Sequence, residues 1–234
     1  MSPTEIFFEN RVDLVAALVN QISKLLSDAI AERGQASFLV SGGSSPLAVY
    51  EALAERELDW SKVVVALVDE RWVSLDHAAS NEAFIRRHFL RARAAAAKFI
   101  AMKTDEPSAA LGLANCEARY ADLPDHADVC LLGMGSDGHT ASLFPNAVGL
   151  DVAMSLATAA RCAAIQAHPS EVTGSHTERM TLTRYYLAQA RKRILLITGA
   201  DKRDVYSTAK TSQDFGATPV SAVLQAELDV YWAP

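Results

Sequence analysis

The residues best suited to chemistry lie in the run Gly133-Met134-Gly135-Ser136-Asp137-Gly138-His139-Thr140-Ala141-Ser142-Leu143-Phe144-Pro145. A carboxylate two residues before an imidazole, in a glycine-rich turn that lets backbone approach a ligand, is the pattern of a general base with its orienting partner. His139 is therefore expected to take a proton, oriented by Asp137. His77, His88 and His126 lack such a setting and read as structural histidines. The same run contains Gly133-x-Gly135-x-x-Gly138, the outline of a dinucleotide-binding turn. That reading fails on three points. Asp137 would repel a pyrophosphate, Pro145 follows too soon for the long helix required, and no acidic residue closes a clear strand about 20 residues on. Ser44 and Ser142 have no evident paired base, which argues against a serine nucleophile.

Three further clusters follow apolar runs. Ser41-Gly42-Gly43-Ser44-Ser45-Pro46 combines glycines, hydroxyls and a proline suited to the first turn of a helix. It reads equally as a tight turn or as an anion cradle of free N–H groups, and no Gly-Lys-Ser/Thr follows to make it a Walker A loop. Asp69-Glu70-Arg71 reads as either an ion-pair cluster or a site. Lys202, after Gly199 at an expected helix start, is disfavoured by the helix dipole and is easier to explain beside a bound phosphate. Arg179 is expected to open a helix running through Leu187, and taken alone it reads as a surface arginine. His168 and His176 fall in a polar stretch, His168 to Thr177, and read as mobile surface histidines.

These clusters must be carried by a regular framework. From Asn10 to about Arg33, apolar residues recur at helical spacing, with Asn10 as N-cap and Gly34 as terminator. Buried-strand candidates are Ser37–Val40, Val63–Val68, Lys98–Ala101, Val129–Leu132, Cys162–Gln166 and Ile194–Thr198, with helical stretches between most of them. That alternation predicts a single domain over residues 1–234, an α/β fold with a doubly wound, mostly parallel sheet covered by helices on both faces. In such a sheet the ligand lies beyond the carboxyl ends of the strands, where the polar clusters fall.

Composition narrows the partners. Lys plus Arg number 22 against 28 Asp plus Glu, a net charge of −6, so no basic footprint for nucleic acid or an anionic membrane is present. An anionic small molecule must then be held by a few local cations. Cys116, Cys130 and Cys162 are scattered and odd in number, which indicates buried thiols in a reducing compartment rather than disulfides or a zinc site. No basic leader opens the chain and no apolar run approaches a membrane span, so a cytoplasmic chain is expected. No obligate protein partner is evident.

Taken together, Ser41–Pro46, Asp69–Val73, Gly133–Pro145, Arg179–Thr183 and Gly199–Lys202 resemble the 6-phosphogluconolactonase family, within the glucosamine-6-phosphate isomerase/6-phosphogluconolactonase superfamily. The matches span nearly the whole chain in order, and the Gly-Met-Gly-x-Asp-Gly-His-Thr-Ala-Ser-Leu-Phe-Pro run is the most specific. The resemblance implies a Rossmann-like fold of the glucosamine-6-phosphate deaminase type. It also implies hydrolysis of 6-phospho-D-glucono-1,5-lactone to 6-phospho-D-gluconate in the pentose phosphate pathway, with no required metal or cofactor. On it, His139 is the general base oriented with Asp137, Arg71 is a further ligand or stabiliser, and Ser44, Arg179 and Lys202 contact the phosphate. Gly42, Gly43, Ser45 and Asp69 complete the implied binding site. The stretch from His168 to Thr177 departs from the family pattern, which is shorter and richer in proline. A deaminase/isomerase is the nearest rival, opposed by Arg71-Trp72 where that group has tyrosine and by the ending after His139. A non-catalytic sugar-phosphate sensor is the other, opposed by the lack of room for a DNA-binding module.

Overall fold

A computed structural model describes residues 3–212, 214–224 and 228–234. In chain order its strands and helices are β1 (Thr4–Phe7), α1 (Arg11–Arg33), β2 (Ala36–Val40), α2 (Leu47–Ala54), β3 (Val63–Leu67), β4 (Asp69–Arg71), α3 (Asn81–His88), β5 (Lys98–Ile100) and α4 (Ala109–Tyr120). There follow β6 (Val129–Leu132), α5 (Leu150–Met154), β7 (Cys162–Gln166), β8 (Glu178–Leu182), α6 (Arg184–Gln189), β9 (Lys192–Thr198), α7 (Ala200–Ala209) and β10 (Leu228–Ala233).

The large sheet runs β1-β10-β9-β6-β2-β3-β5 with every neighbouring pair parallel. Its central strands β2, β3 and β6 are predominantly apolar, as strands covered on both faces must be. The order turns at β2 and β6, because the chain builds outward through β3 and β5 on one side and through β9 and β10 on the other. This is the switch point at which loops diverge and leave a crevice. The loops after β2 and β6 therefore stand side by side.

The expected first helix forms within its expected bounds. Asn10 Oδ1 accepts from Asp13 N at 2.9 Å, and Gly34, at φ 77°, donates its N–H to Ile30 O at 2.9 Å. Contrary to the expectation from sequence, α1 is long and apolar enough, by length and composition, to pass for a membrane span. It buries Leu14, Leu18, Ile22 and Leu26 along one stripe against β2 and β10, which makes it an amphipathic core helix. Cys116, Cys130 and Cys162 are all buried as free thiols.

A second, antiparallel sheet of order β4-β8-β7 was not foreseen from the sequence. Cys162–Gln166 is a strand as expected, but it belongs here rather than to the parallel sheet. Val68 ties the sheets together: its N–H reaches Val40 O at 2.9 Å and its carbonyl accepts from Leu182 N at 2.8 Å. The segment at Arg179 is corrected as well. Glu178–Leu182 is a strand, and the helix begins at Arg184 behind the Thr183 N-cap.

Candidate active site

The Gly133–Pro145 loop leaves the carboxyl end of β6 and folds tightly on itself. Gly135 N donates to His139 O at 2.9 Å and Gly138 N to Gly135 O at 3.1 Å. Gly138 is at φ 79°, where a side chain would be strained. This turn brings the Asp137 carboxylate to 2.6 Å from His139 Nδ1, with the same oxygen accepting His139 N at 3.1 Å. Burial alone would raise the Asp137 carboxyl, but the hydrogen bonds and charge of His139 outweigh it and hold Asp137 below its ordinary value. An ionised Asp137 fixes the Nδ1–H tautomer, so Nε2 is the basic nitrogen. Gly135 is required for another reason: a Cβ there would lie 2.1 Å from His139 Nδ1 and 2.6 Å from Asp137 Oδ1.

Beside the dyad stands the antiparallel β4–β8 strand pair, in which Arg71 and Arg179 are direct cross-strand partners. Like charges so placed repel. Among the described residues neither guanidinium has a carboxylate within ion-pairing distance. Backbone carbonyls hold them instead. Arg71 Nη1 donates to Ala79 O at 2.7 Å, while Arg179 donates from Nε to His176 O at 2.6 Å and from Nη2 to Thr173 O at 3.0 Å. Arg71 Nε is buried without a partner. Burial lowers Arg179 to about 10, opposed by Asp69 and reinforced by Arg71, and it remains cationic near neutrality. Far from being a surface arginine, Arg179 is 3% exposed. The polar His168–Thr177 stretch, whose Ser170 and Thr173 close a tight turn, supplies the carbonyls that aim it.

Glu70 joins β4 to the start of α3. Its two oxygens accept N–H groups from Arg71, Asn81 and Glu82, each at 2.7 Å, and the Ser80 hydroxyl at 3.1 Å. Burial pushes this carboxyl up to about 7, opposed by the backbone donors and assisted by the charge of Asp69. Asp69 in turn accepts from Ser142 Oγ at 2.6 Å and from Asn81 Nδ2 at 3.2 Å. Asn81 also presses against the first loop, where a Cβ on Gly42 would fall 2.0 Å from Asn81 Oδ1. Tyr50 anchors that loop by donating to Ser41 O at 2.7 Å. Gly43 is at φ 98°, and Pro46 sits at the N-cap of α2, one residue before its first turn.

The first loop, Asp69, Asn81, the two arginines and His139 meet in a cavity of about 480 Å³. Gly42, Gly43, Ser44, Ser45, Asp69, Arg71, His139, Arg179 and Lys202, all singled out from sequence, line it. Asp137 stands behind His139 rather than on the wall. Lys202, in the first turn of α7, is lowered by burial and has no ion-pair partner among the described residues. Asn81, Phe144, Glu171 and Val172 also line the cavity and had not been assigned roles. Phe144 lay inside the specific run. Asn81 carried no local signal beyond following the N-cap Ser80. Among the described residues no group of three or more His, Cys, Asp and Glu is placed to hold a metal ion. Of the histidines read as structural, His88 contacts Glu51 at 3.1 Å, His126 contacts Gln189 O at 3.1 Å, and His77 Nδ1 accepts from Ala79 N at 3.0 Å, and none of the three lines the cavity.

A parallel sheet whose switch-point crevice carries an Asp–His dyad and three cations defines an α/β enzyme for an anionic small molecule. The chain belongs to the family described as glucosamine-6-phosphate isomerases/6-phosphogluconolactonase, matching it over residues 9–232. It is 45% identical over 219 residues to a 6-phosphogluconolactonase of Pseudomonas aeruginosa, covering 93% of this chain and 89% of the relative. A 6-phosphogluconolactonase of Rhizobium meliloti is 38% identical over the full length of both chains. The crystal structure of a 6-phosphogluconolactonase from Shewanella baltica superposes with a TM-score of 0.93 at 37% identity, covering 99% of this chain and 98% of that one.

Proposed function

We propose that the chain hydrolyses 6-phospho-D-glucono-1,5-lactone to 6-phospho-D-gluconate, the lactone-opening step of the oxidative pentose phosphate pathway. The observation that carries this reading is the meeting of an oriented imidazole with Arg71, Arg179 and Lys202 on the walls of one cavity. The relatives at 38–45% identity that bear the lactonase name support it over a deaminase/isomerase. Residues 1–234 act as one domain on a small molecule, without nucleic acid, membrane or obligate partner. A cytoplasmic setting agrees with the three buried free thiols.

His139 Nε2 takes a proton from a water as its oxygen attacks C1 of the lactone. The oxyanion that forms is met by Arg71 and by N–H groups of the glycine loops, preorganised where charge develops. Collapse of the tetrahedral intermediate breaks the bond from C1 to the ring oxygen, and the imidazolium returns its proton to that oxygen. The new carboxylic acid then ionises, and His139 is ready for a second turnover. Arg179, Lys202, Ser44 and the N–H groups at the start of α2 hold the phosphate. Gly42, Gly43 and Ser45 shape the cradle, and Asp69 faces the sugar while tethered by Ser142. Remote phosphate binding thereby fixes the ring for attack.

Incubation with freshly prepared 6-phosphogluconolactone, and in parallel with glucosamine 6-phosphate, tests the reading. Accelerated loss of the lactone is expected. Turnover of the amino sugar alone would replace the proposal with a deaminase.

A further inference from the structure

The dyad accounts for only part of the placement of His139. A hydrogen bond at one edge of an imidazole leaves the ring free to rock about that bond, because the terminal torsion of histidine is broad. The face of the ring needs its own constraint. Phe144 provides one: its centroid lies 4.2 Å from that of His139 at an interplanar angle of 29°, a stacked contact. The same phenyl ring carries the Arg179 guanidinium, whose central carbon is 5.3 Å from the centroid. The ring is 3% exposed, yet it lines the cavity.

Phe144 is itself rigidly held. Its N–H donates to Ser142 O at 3.1 Å and its carbonyl accepts from Ala147 N at 3.2 Å. Ser142 is pinned in turn, through its hydroxyl to Asp69 and its N–H to Thr181 Oγ at 3.1 Å. The phenyl ring is thus fastened to β4 and β8, the strands that carry the two arginines. The loop bearing the base and the strand pair bearing the cations share one aromatic ring.

We infer that Phe144 is a positioning residue that holds the imidazole plane of His139 against the Asp137 edge and ties the base to the anion-binding Arg179. This rests on the reading of His139 as general base. The ring works by geometry and through its π face, which favours a cation stacked on it and so favours the imidazolium formed during turnover.

The test compares Phe144→Leu, which keeps an apolar side chain but removes the flat face, with Phe144→Tyr, which restores it. Turnover is measured on the phosphorylated lactone and on plain gluconolactone, with the pH profile of kcat/KM and the melting temperature. Phe144→Leu is expected to lower kcat about 10-fold to 100-fold on both lactones, the scale of loss from slight misplacement of a reacting group. It should also move the acid limb of the profile to lower pH, and Phe144→Tyr should recover most of both effects. Mere core packing would lower the melting temperature and leave the acid limb in place. If the leucine variant does not fold, Phe144→Met is held to the same criteria. Wild-type kcat and pH profile in a folded leucine or methionine variant, with His139→Ala inactive, would overturn the role of Phe144 and leave the base intact. An active His139→Ala would instead overturn the base assignment, and this inference with it.

Discussion

The dyad loop and the arginine-bearing strand pair face one cavity, but they are assembled by opposite routes. In the loop, the contacts made by Asp137 and by the Gly135 and Gly138 amides that aim His139 all fall within five residues of sequence. In the strand pair, Arg71 and Arg179 come together through long-range pairing, and their guanidiniums are fixed by carbonyls of Ala79, Thr173 and His176. The difference follows from what each part must do. A base needs angular precision, which a short turn locked by glycines supplies cheaply. A charge clamp needs cations that repel one another to stay close, and a sheet with backbone acceptors can hold them until an anion arrives.

The loop is where function should break most sharply. His139→Ala is expected to lower kcat by about 10²-fold to 10⁴-fold, the usual worth of a positioned general base, with little change in binding. Steady-state kinetics on a folded variant checks this, and near wild-type kcat would shift the role to Asp137 or Asp69. Gly135→Ala tests the same loop without touching a functional side chain. Its Cβ would overlap both members of the dyad, so one of them must move. A fall in kcat of about 10²-fold is expected, the scale set by displacement of about 1 Å. Unchanged turnover would show that the turn relaxes around the methyl group.

The strand pair and its neighbour Lys202 should fail differently. On the proposed function, Arg179→Ala and Lys202→Ala should each remove a charge-assisted hydrogen bond to the phosphate, worth roughly 1.5–3 kcal/mol, so KM should rise about 10-fold to 150-fold where it tracks binding. Each variant should also lose discrimination between the phosphorylated lactone and plain gluconolactone. The ratio of kcat/KM for the two substrates is the sharper measure. An unchanged ratio in both would place the phosphate elsewhere on the rim.

The same contrast explains what could be read from the sequence. The α1 helix, the apolar strands and the dyad are governed by neighbours along the chain, and they were legible as caps, runs and a motif. Glu178–Leu182 was not. Its residues Arg179 and Thr181 are buried by pairing with β7 just before it and with β4, a partner far away in sequence, and Glu-Arg-Met-Thr-Leu carries no apolar run to announce a core strand. Arg71 and Arg179 could be linked to one site by resemblance, but their register could not be derived. Asn81 was missed because its role arises from Gly42 and Asp69, which approach it only in the folded chain.

The smallest expected effect, at Glu70, separates stability from catalysis within the β4–β8 region. Two forces compete there. Burial and the nearby Asp69 favour the neutral acid, whereas three backbone donors and the start of α3 favour the carboxylate. With the carboxyl pushed up to about 7 from 4.5, the folded chain keeps a proton that the unfolded chain has already lost. The stabilisation is therefore fully present below about pH 4.5 and is lost as pH rises through 7. Glu70→Gln mimics the neutral acid and removes this dependence. Each tenfold difference in proton affinity is worth about 1.4 kcal/mol, and each kcal/mol moves the melting temperature roughly 2–4 °C in a chain of this size. Between pH 5 and pH 8, the wild type should lose roughly 5–10 °C relative to the variant. Movement in the opposite direction would mean that the backbone donors prevail and that Glu70 is a permanently charged strut beneath Arg71.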